Sequence, residues 1–168
     1  MTQASGTQQM VFVPILRTTA AVLRRGQSLS GLVGHAATPA LLRAHRYDAS
    51  TLEDADYAAL SYAGARAVLE PNGDPLRLVL AAEVQAGDIE VDADDPYGQV
   101  LVRLDWVGVQ ALFADESAAA QAVALARIAA AGSTFEQALA LPAVESLDAE
   151  HDLLWFTPDE LDHLPHSP

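Results

Sequence analysis

Few side chains in this 168-residue sequence have the type and spacing that chemistry requires. The first candidate is His35, which lies between Gly34 and Ala36. An imidazole titrates near neutral pH, so a histidine in a glycine-flanked loop can act as an acid, a base or a ligand. No carboxylate neighbours it in the local sequence, and a histidine that makes a local hydrogen bond is the alternative interpretation. His35 is therefore a candidate binding residue and not a catalytic one.

The adjacent arginines Arg24 and Arg25 are the second candidate, because no other two basic residues are neighbours in this chain. Paired guanidinium groups bind phosphate or carboxylate through charge-assisted hydrogen bonds. The chain carries a net charge of −14, so a surface salt bridge to one of its own carboxylates is the competing explanation.

The closing segment supplies the remaining candidates, Trp155 and Glu160. Trp155 and Phe156 are adjacent in a predicted strand and must point to opposite faces, so one is expected in the core. The other is either covered as well, which is the favoured interpretation, or exposed and free to contact a partner. Glu160 is followed at intervals of three residues by His163 and His166. Carboxylate and imidazole groups are both ligands for transition metals. Only two residues follow His166, which leaves little chain to form the hydrogen bonds that orient metal ligands. A polar terminus is therefore the simpler interpretation, and no metal site is predicted.

The composition excludes several classes of mechanism. Cysteine is absent and all nine basic residues are arginines, which removes disulfides, thiolate zinc sites, cysteine nucleophiles, P-loops and lysine Schiff bases. The sequence contains no G-x-G-x-x-G, G-x-S-x-G or H-E-x-x-H. The acidic stretch 88–95 departs from the calcium-loop pattern at Pro96, so a solvated edge is favoured there. We therefore predict no catalytic residue and no cofactor.

The charge is strongly acidic and unevenly placed, with 23 acidic residues against nine basic ones and no basic residue from 128 to 168. Such a chain repels phosphates, which argues against direct binding of nucleic acid or membranes. A homodimer or a basic protein partner is the expected interaction, and a merely soluble acidic face is the alternative. The N-terminus lacks the charged and apolar regions of a secretory signal, so a cytoplasmic location is expected.

The pattern of apolar residues predicts a mixture of strands and helices. Strands are expected at 10–16, 76–82, 100–104, 111–114 and 152–156, with a ragged edge strand around 89–91. Helices are expected at 18–24, at 39–45 after the Thr38-Pro39 start, from a Ser50/Glu53 capping box to about 70, and at 116–131, with shorter turns at 134–139 and 157–160. Residues 28–35 are interpreted as a loop or a short strand.

This order predicts an α+β fold, namely a two-layer sandwich in which helices cover one face of an antiparallel or mixed sheet, with a ferredoxin-like arrangement as the nearest topology. A single domain is expected over 10–162, preceded by a flexible lead-in at 1–9 and followed by a frayed tail at 163–168.

Three segments resemble a family of short, uncharacterised actinobacterial proteins. They are the opening VFVP at 11–14, the helix start ATPAL at 37–41, and the closing LLWFTPDEL at 153–161. The resemblance extends over most of the chain and implies that Met10 corresponds to the start of the family's sequences. It implies no activity.

Without a catalytic signature, the sequence favours a non-catalytic protein-interaction or regulatory module. The first alternative is a small enzyme or ligand binder that uses an arginine, histidine and carboxylate site. The second is an acidic mimic of nucleic acid, which requires carboxylates arrayed on one surface.

Overall fold

The computed structural model describes residues 6–168, and within them the chain forms one antiparallel sheet of seven strands. The sheet order is β4-β5-β2-β1-β3-β6-β7, and every neighbouring pair is antiparallel. The strands are β1 (Gln8–Pro14), β2 (Leu29–Ala36), β3 (Leu78–Gln85), β4 (Ile89–Val91), β5 (Gln99–Leu104), β6 (Val109–Ala114) and β7 (Leu154–Phe156).

The α-helices of the described residues lie in three of the connections, namely β1–β2, β2–β3 and β6–β7. They are α1 (Arg17–Arg24), α2 (Pro39–His45), α3 (Leu52–Ala67), α4 (Ala120–Ala130), α5 (Phe135–Leu139) and α6 (Pro142–Glu150), and a 3-10 helix, Pro158–His163, follows β7. The α+β class is therefore confirmed. No helix within residues 6–168 combines the length and apolarity needed to cross a membrane.

The topology differs from the ferredoxin-like arrangement that the element order suggested. One split βαβ unit is present, because β2 and β3 lie on either side of β1 and are joined through α2 and α3. The remaining strands extend the sheet on both sides to seven, so the ferredoxin-like topology as a whole is not confirmed.

The sheet is buried on both faces around the central strand β1. On one face, Phe12 and Val79 pack with Ala55, Ala59 and other small residues of α3, which allow that helix to lie close to the sheet. On the other face, the apolar residues of the strands pack with residues of α1 and of the C-terminal segment. A third cluster joins the end of α3 to α4, α5 and α6.

Several local expectations change in the folded chain. Residues 29–36 form the strand β2 beside β1, which decides between the loop and the short strand that the sequence left open. The capping box before α3 is made by Asp48 and Thr51 and not by Ser50 and Glu53. Helix α6 was not predicted at all.

At both ends of the chain, described residues outside the expected domain limits take part in the fold. Residues 1–5 of the expected lead-in lie outside the described residues, but β1 already begins at Gln8. In the segment expected to fray, Leu164 is buried, and the backbone oxygens of Pro165 and His166 accept hydrogen bonds from Arg17 and Ser117.

Candidate functional site

The arginine pair lies at the end of α1, and the structure separates its two members. Arg24 forms a bidentate salt bridge with Asp162, with nitrogen–oxygen distances of 3.0 and 2.9 Å, while Arg25 is exposed at the helix terminus. The hydrogen bond from Arg24 lowers the pKa of Asp162. Arg24 thus joins α1 to the C-terminal segment, as the competing explanation from the sequence had suggested.

Glu160 serves the local structure of the 3-10 helix that follows β7. Its Oε2 accepts hydrogen bonds from the backbone nitrogen of Thr157 at 2.7 Å and from its hydroxyl at 3.0 Å. This is the capping-box arrangement that the T-P-D-E sequence predicts. Among residues 6–168, no group of three or more histidine and acidic side chains is placed to hold a metal ion, so Glu160, His163 and His166 do not converge.

His35 is fully buried in β2, on the face of the sheet that packs against α3. Its Nδ1 lies 2.8 Å from the backbone oxygen of Tyr97, and its Nε2 lies 2.8 Å from Nε of Arg66. A carbonyl oxygen can only accept and a guanidinium can only donate, so the ring is neutral with its proton on Nδ1. Burial, the largest influence, lowers the pKa of His35 from 6.5 to about 4. Both ring nitrogens are occupied, which leaves none free to act as a general base.

Arg66, which sequence reasoning missed, is held by neutral groups. Besides His35, its Nη2 donates to Oε1 of Gln99 at 2.8 Å, and its guanidinium carbon lies 4.1 Å from the centre of the Phe135 ring. It forms no ion pair with a carboxylate in residues 6–168. Burial lowers the pKa of Arg66, and the charge of Asp95 opposes this effect. The chain therefore carries a half-buried cation at this point without a counter-charge in contact.

A second arginine that the sequence did not single out, Arg77, is buried together with Asp115. Nε and Nη2 of Arg77 donate to the two carboxylate oxygens at 2.9 and 2.8 Å, and the backbone nitrogen of Arg77 donates to Oδ2 at 2.8 Å. Nη2 also donates to the backbone oxygen of His151 at 3.0 Å. This pair is fully used in joining the start of β3 to the end of β6 and to the residue after α6.

Trp155 is exposed on the strand at the edge of the sheet. β7 pairs only with β6 in the described part of the chain, and Trp155 lies opposite Phe113. Phe113 and Leu153 both pack with the α3 cluster, so Trp155 shares their side of the sheet. The indole nevertheless remains 60% exposed, while Phe156 packs on the opposite face. Phe156 is thus partly buried and Trp155 exposed, which is the less favoured of the two interpretations that the sequence left open for the outward-facing residue.

A cleft of about 280 Å³ lies between α3 and the segment that leads into β7, and we call it the acidic cleft. It is lined by Tyr57, which is 64% exposed, by Leu153, and by the carboxylates of Asp148 and Asp152. Burial raises the pKa of Asp148; the charge of Arg77 opposes this effect, and the charge of Asp152 adds to it. Arg77 also lines the cleft, but its guanidinium is bonded to Asp115.

The structure therefore does not bring the five predicted residues into one site. Arg24 joins α1 to the C-terminal segment, Arg25 is exposed, and Glu160 stabilises a local turn. His35 is internal, and Trp155 lies near a cleft whose residues the sequence did not identify. The acidic asymmetry of the C-terminal part of the chain was the one signal that pointed to Asp148 and Asp152. What the arrangement offers at this surface is exposed aromatic area next to carboxylates.

The fold and this surface define an acidic α+β protein with an exposed aromatic residue on an edge strand. A family model matches residues 10–164, and its description is a family of unknown function, DUF6912. The chain belongs to that family, which confirms the resemblance to an uncharacterised family but says nothing of an actinobacterial origin, and the match begins at Met10. No curated protein and no solved structure matches the chain.

Proposed function

We propose that this protein is a cytoplasmic, non-catalytic interaction module that binds a positively charged segment of another protein at the acidic cleft and the adjoining Trp155. The observation that carries the proposal is the exposure of Trp155 on an edge strand, next to a cleft lined by carboxylates.

The aromatic residues supply the contact area. Trp155 and Tyr57 are large, have few rotatable bonds and are mostly exposed. Tryptophan and tyrosine dominate the binding energy of many interfaces because they bury much surface at a low entropic cost. Leu153 lines the cleft and precedes Trp155 by two residues on the same side of the sheet, which places the indole near the end of the cleft.

The charges favour a basic partner over a second copy of the chain. Asp148 and Asp152 line the cleft while its arginine is already neutralised by Asp115, so a bound cation would compensate them. Two copies, each with a net charge of −14, would repel each other over long range. A segment that bears lysine or arginine can compensate the carboxylates with its charge and can place its apolar parts on Trp155.

Affinity capture with variants tests this function. Wild-type protein is compared with Trp155→Ala and with Val107→Ala, the control, because Val107 is 91% exposed and lines a different cleft. We expect a basic protein that is retained by wild type and Val107→Ala and lost with Trp155→Ala. With the purified partner, Trp155→Ala should weaken binding by roughly thirtyfold, as for a hot-spot residue.

A second pair of variants tests the charge. The double variant Asp148→Asn, Asp152→Asn should weaken binding of the partner and make it less dependent on salt. Its control, the double variant Asp92→Asn, Asp94→Asn, changes the net charge by the same amount at exposed positions near β4 and should have little effect. Retention that is unaffected by Trp155→Ala would overturn the proposal. A homodimer that sedimentation detects and Trp155→Ala abolishes would replace the basic partner with a second copy.

A further inference from the structure

A second cleft, of about 290 Å³, lies at the C-terminal end of α3, where β1 ends and β3 begins. We call it the arginine cleft, because Arg66 and Arg127 both line it. Apolar residues such as Ile15 and Leu76 complete its wall. It shares one lining residue with the acidic cleft, Arg77, whose charge is taken by Asp115.

Arg127 has unused hydrogen-bonding capacity in this cleft. A guanidinium group carries five N–H donors. Nη2 of Arg127 donates a hydrogen bond to the backbone oxygen of Asp74 at 3.0 Å. Its Nε is buried and has no hydrogen-bond partner in the described part of the chain. A buried donor without a partner costs free energy, which a ligand that accepts from this guanidinium would recover.

Neither arginine forms an ion pair with a carboxylate of residues 6–168. Arg66 is fixed by the neutral partners His35, Gln99 and Phe135, which orient its guanidinium without neutralising it. Burial lowers the pKa of both arginines, so each charge lies in a poorly solvated position.

Two carboxylates also line the cleft and must be counted. Oδ2 of Asp74 accepts a hydrogen bond from the backbone nitrogen of Arg17 at 2.7 Å and so caps the start of α1. Glu70 is exposed to solvent. Both raise the pKa of Arg127, but burial outweighs them. The cleft therefore retains two oriented, half-buried cations whose charge the protein itself compensates incompletely.

We propose that the arginine cleft binds a small organic anion, with its carboxylate or phosphate group at Arg66 and Arg127 and its apolar body against the wall of the cleft. Guanidinium groups bind both kinds of anion through charge-assisted, often bidentate hydrogen bonds. A cleft of this volume is close to the lower limit of small-ligand pockets, roughly 300 Å³, which restricts the ligand to a compact molecule.

Titration of the isotopically labelled full chain tests the site by NMR, with benzoate and phenyl phosphate as anionic probes and benzyl alcohol as a neutral probe of similar shape. We expect saturable shifts of the Nε–H signals of Arg66 and Arg127 with an anionic probe and not with benzyl alcohol. Binding of benzoate alone assigns a carboxylate ligand, and binding of phenyl phosphate alone assigns a phosphate.

The variant Arg127→Gln removes one cation, and Arg103→Gln is its control, because Arg103 lies in β5 outside the cleft and contacts Asp88 only at 3.9 Å. We expect Arg127→Gln to weaken anion binding about tenfold or more, since a hydrogen bond to a charged group contributes roughly 1.5–3 kcal/mol, and Arg103→Gln to leave it unchanged within about twofold.

The proposal is overturned if neither anion binds the wild-type chain, if benzyl alcohol binds equally well, or if both variants weaken binding equally. The shifts in the wild-type chain keep the test decisive if Arg127→Gln does not fold. A loss of anion binding leaves the proposed protein interaction at Trp155 unaffected, so the two proposals fail separately.

Discussion

The buried histidine of β2 makes the stability of this protein depend on pH in a defined window. The pKa of His35 is about 4 in the folded chain, because burial disfavours its charged form, and its ordinary value is 6.5. Protonation would also place a proton on Nε2, against the N–H of Arg66 that now donates to it at 2.8 Å. Arg66 further lowers the pKa, while Asp95 and the backbone oxygen of Tyr97 raise it.

The sign follows from proton linkage. Between pH 6.5 and 4 the unfolded chain binds a proton at His35 that the folded chain excludes, so stability rises with pH. The contribution is fully present above pH 6.5 and is lost as the pH falls toward 4. A difference of about 2.5 pKa units corresponds to about 3 kcal/mol, a large share of the stability of an ordinary domain.

Urea denaturation at a series of pH values from 7 to 4.5 measures this effect. Many carboxylates also titrate at the acidic end of this range. The informative quantity is therefore the difference in the free energy of unfolding between wild type and His35→Gln, because the contributions of the carboxylates largely cancel in it. We expect the free energy of unfolding of wild type to fall more steeply, by up to about 1.4 kcal/mol per pH unit. His163→Gln, at an exposed position, is the control and should follow wild type.

Equal slopes for wild type and His35→Gln between pH 6.5 and 5 would refute this reasoning. So would an imidazole pKa near 6.5, measured for His35 by NMR in the folded protein. The same spectra report the tautomer, and a proton on Nε2 instead of Nδ1 would contradict the hydrogen-bond assignment.

Three further predictions concern stability and are measured by denaturant unfolding. Asp115→Asn leaves the buried guanidinium of Arg77 without its counter-charge and should cost about 3–5 kcal/mol. Gly98→Ala should lower the free energy of unfolding several times more than Gly31→Ala. Both glycines have a positive φ, 71° and 70°, but an added Cβ at Gly98 would lie 2.1 Å from a backbone oxygen, whereas an added Cβ at Gly31 would meet open space. Equal costs would refute this explanation. Thr38→Ala removes the side chain that caps α2 and should cost about 1 kcal/mol, and an unchanged stability would show that the cap is replaced by other groups.

Local signals predicted those elements whose ends are encoded in adjacent residues. Thr38 followed by Pro39 predicted the start of α2, and the T-P-D-E sequence at 157–160 predicted the capped turn after β7. The alternation of Ile89 and Val91 with acidic residues predicted β4 at an edge of the sheet, where charged side chains can face solvent.

Elements whose character depends on distant partners were left open or missed. β2 contains Gly31 and Gly34, which locally allow a loop or a short strand, and it is a strand because it lies between β1 and β5. At Gly34 an added Cβ would lie 2.9 Å from the backbone oxygen of Phe12, so the glycine permits the close approach of β1. A local pattern contains no information about such a neighbour.

By itself the sequence determined which residue types are available for chemistry and the sign of the charge of this protein. The absence of cysteine and lysine and the net charge of −14 are properties of composition, independent of the fold. Alternation in a strand also placed Trp155 and Phe156 on opposite faces, but it did not determine which of them is exposed.

Only the tertiary structure decided which charged groups work together. Arg66 meets His35 across 31 residues, Arg77 meets Asp115 across 38, and Arg127 reaches Asp74 across 53. The physical reason is that the cost of burying a charge depends on the groups that surround it in space, and these come from separate strands and helices that only the topology brings together.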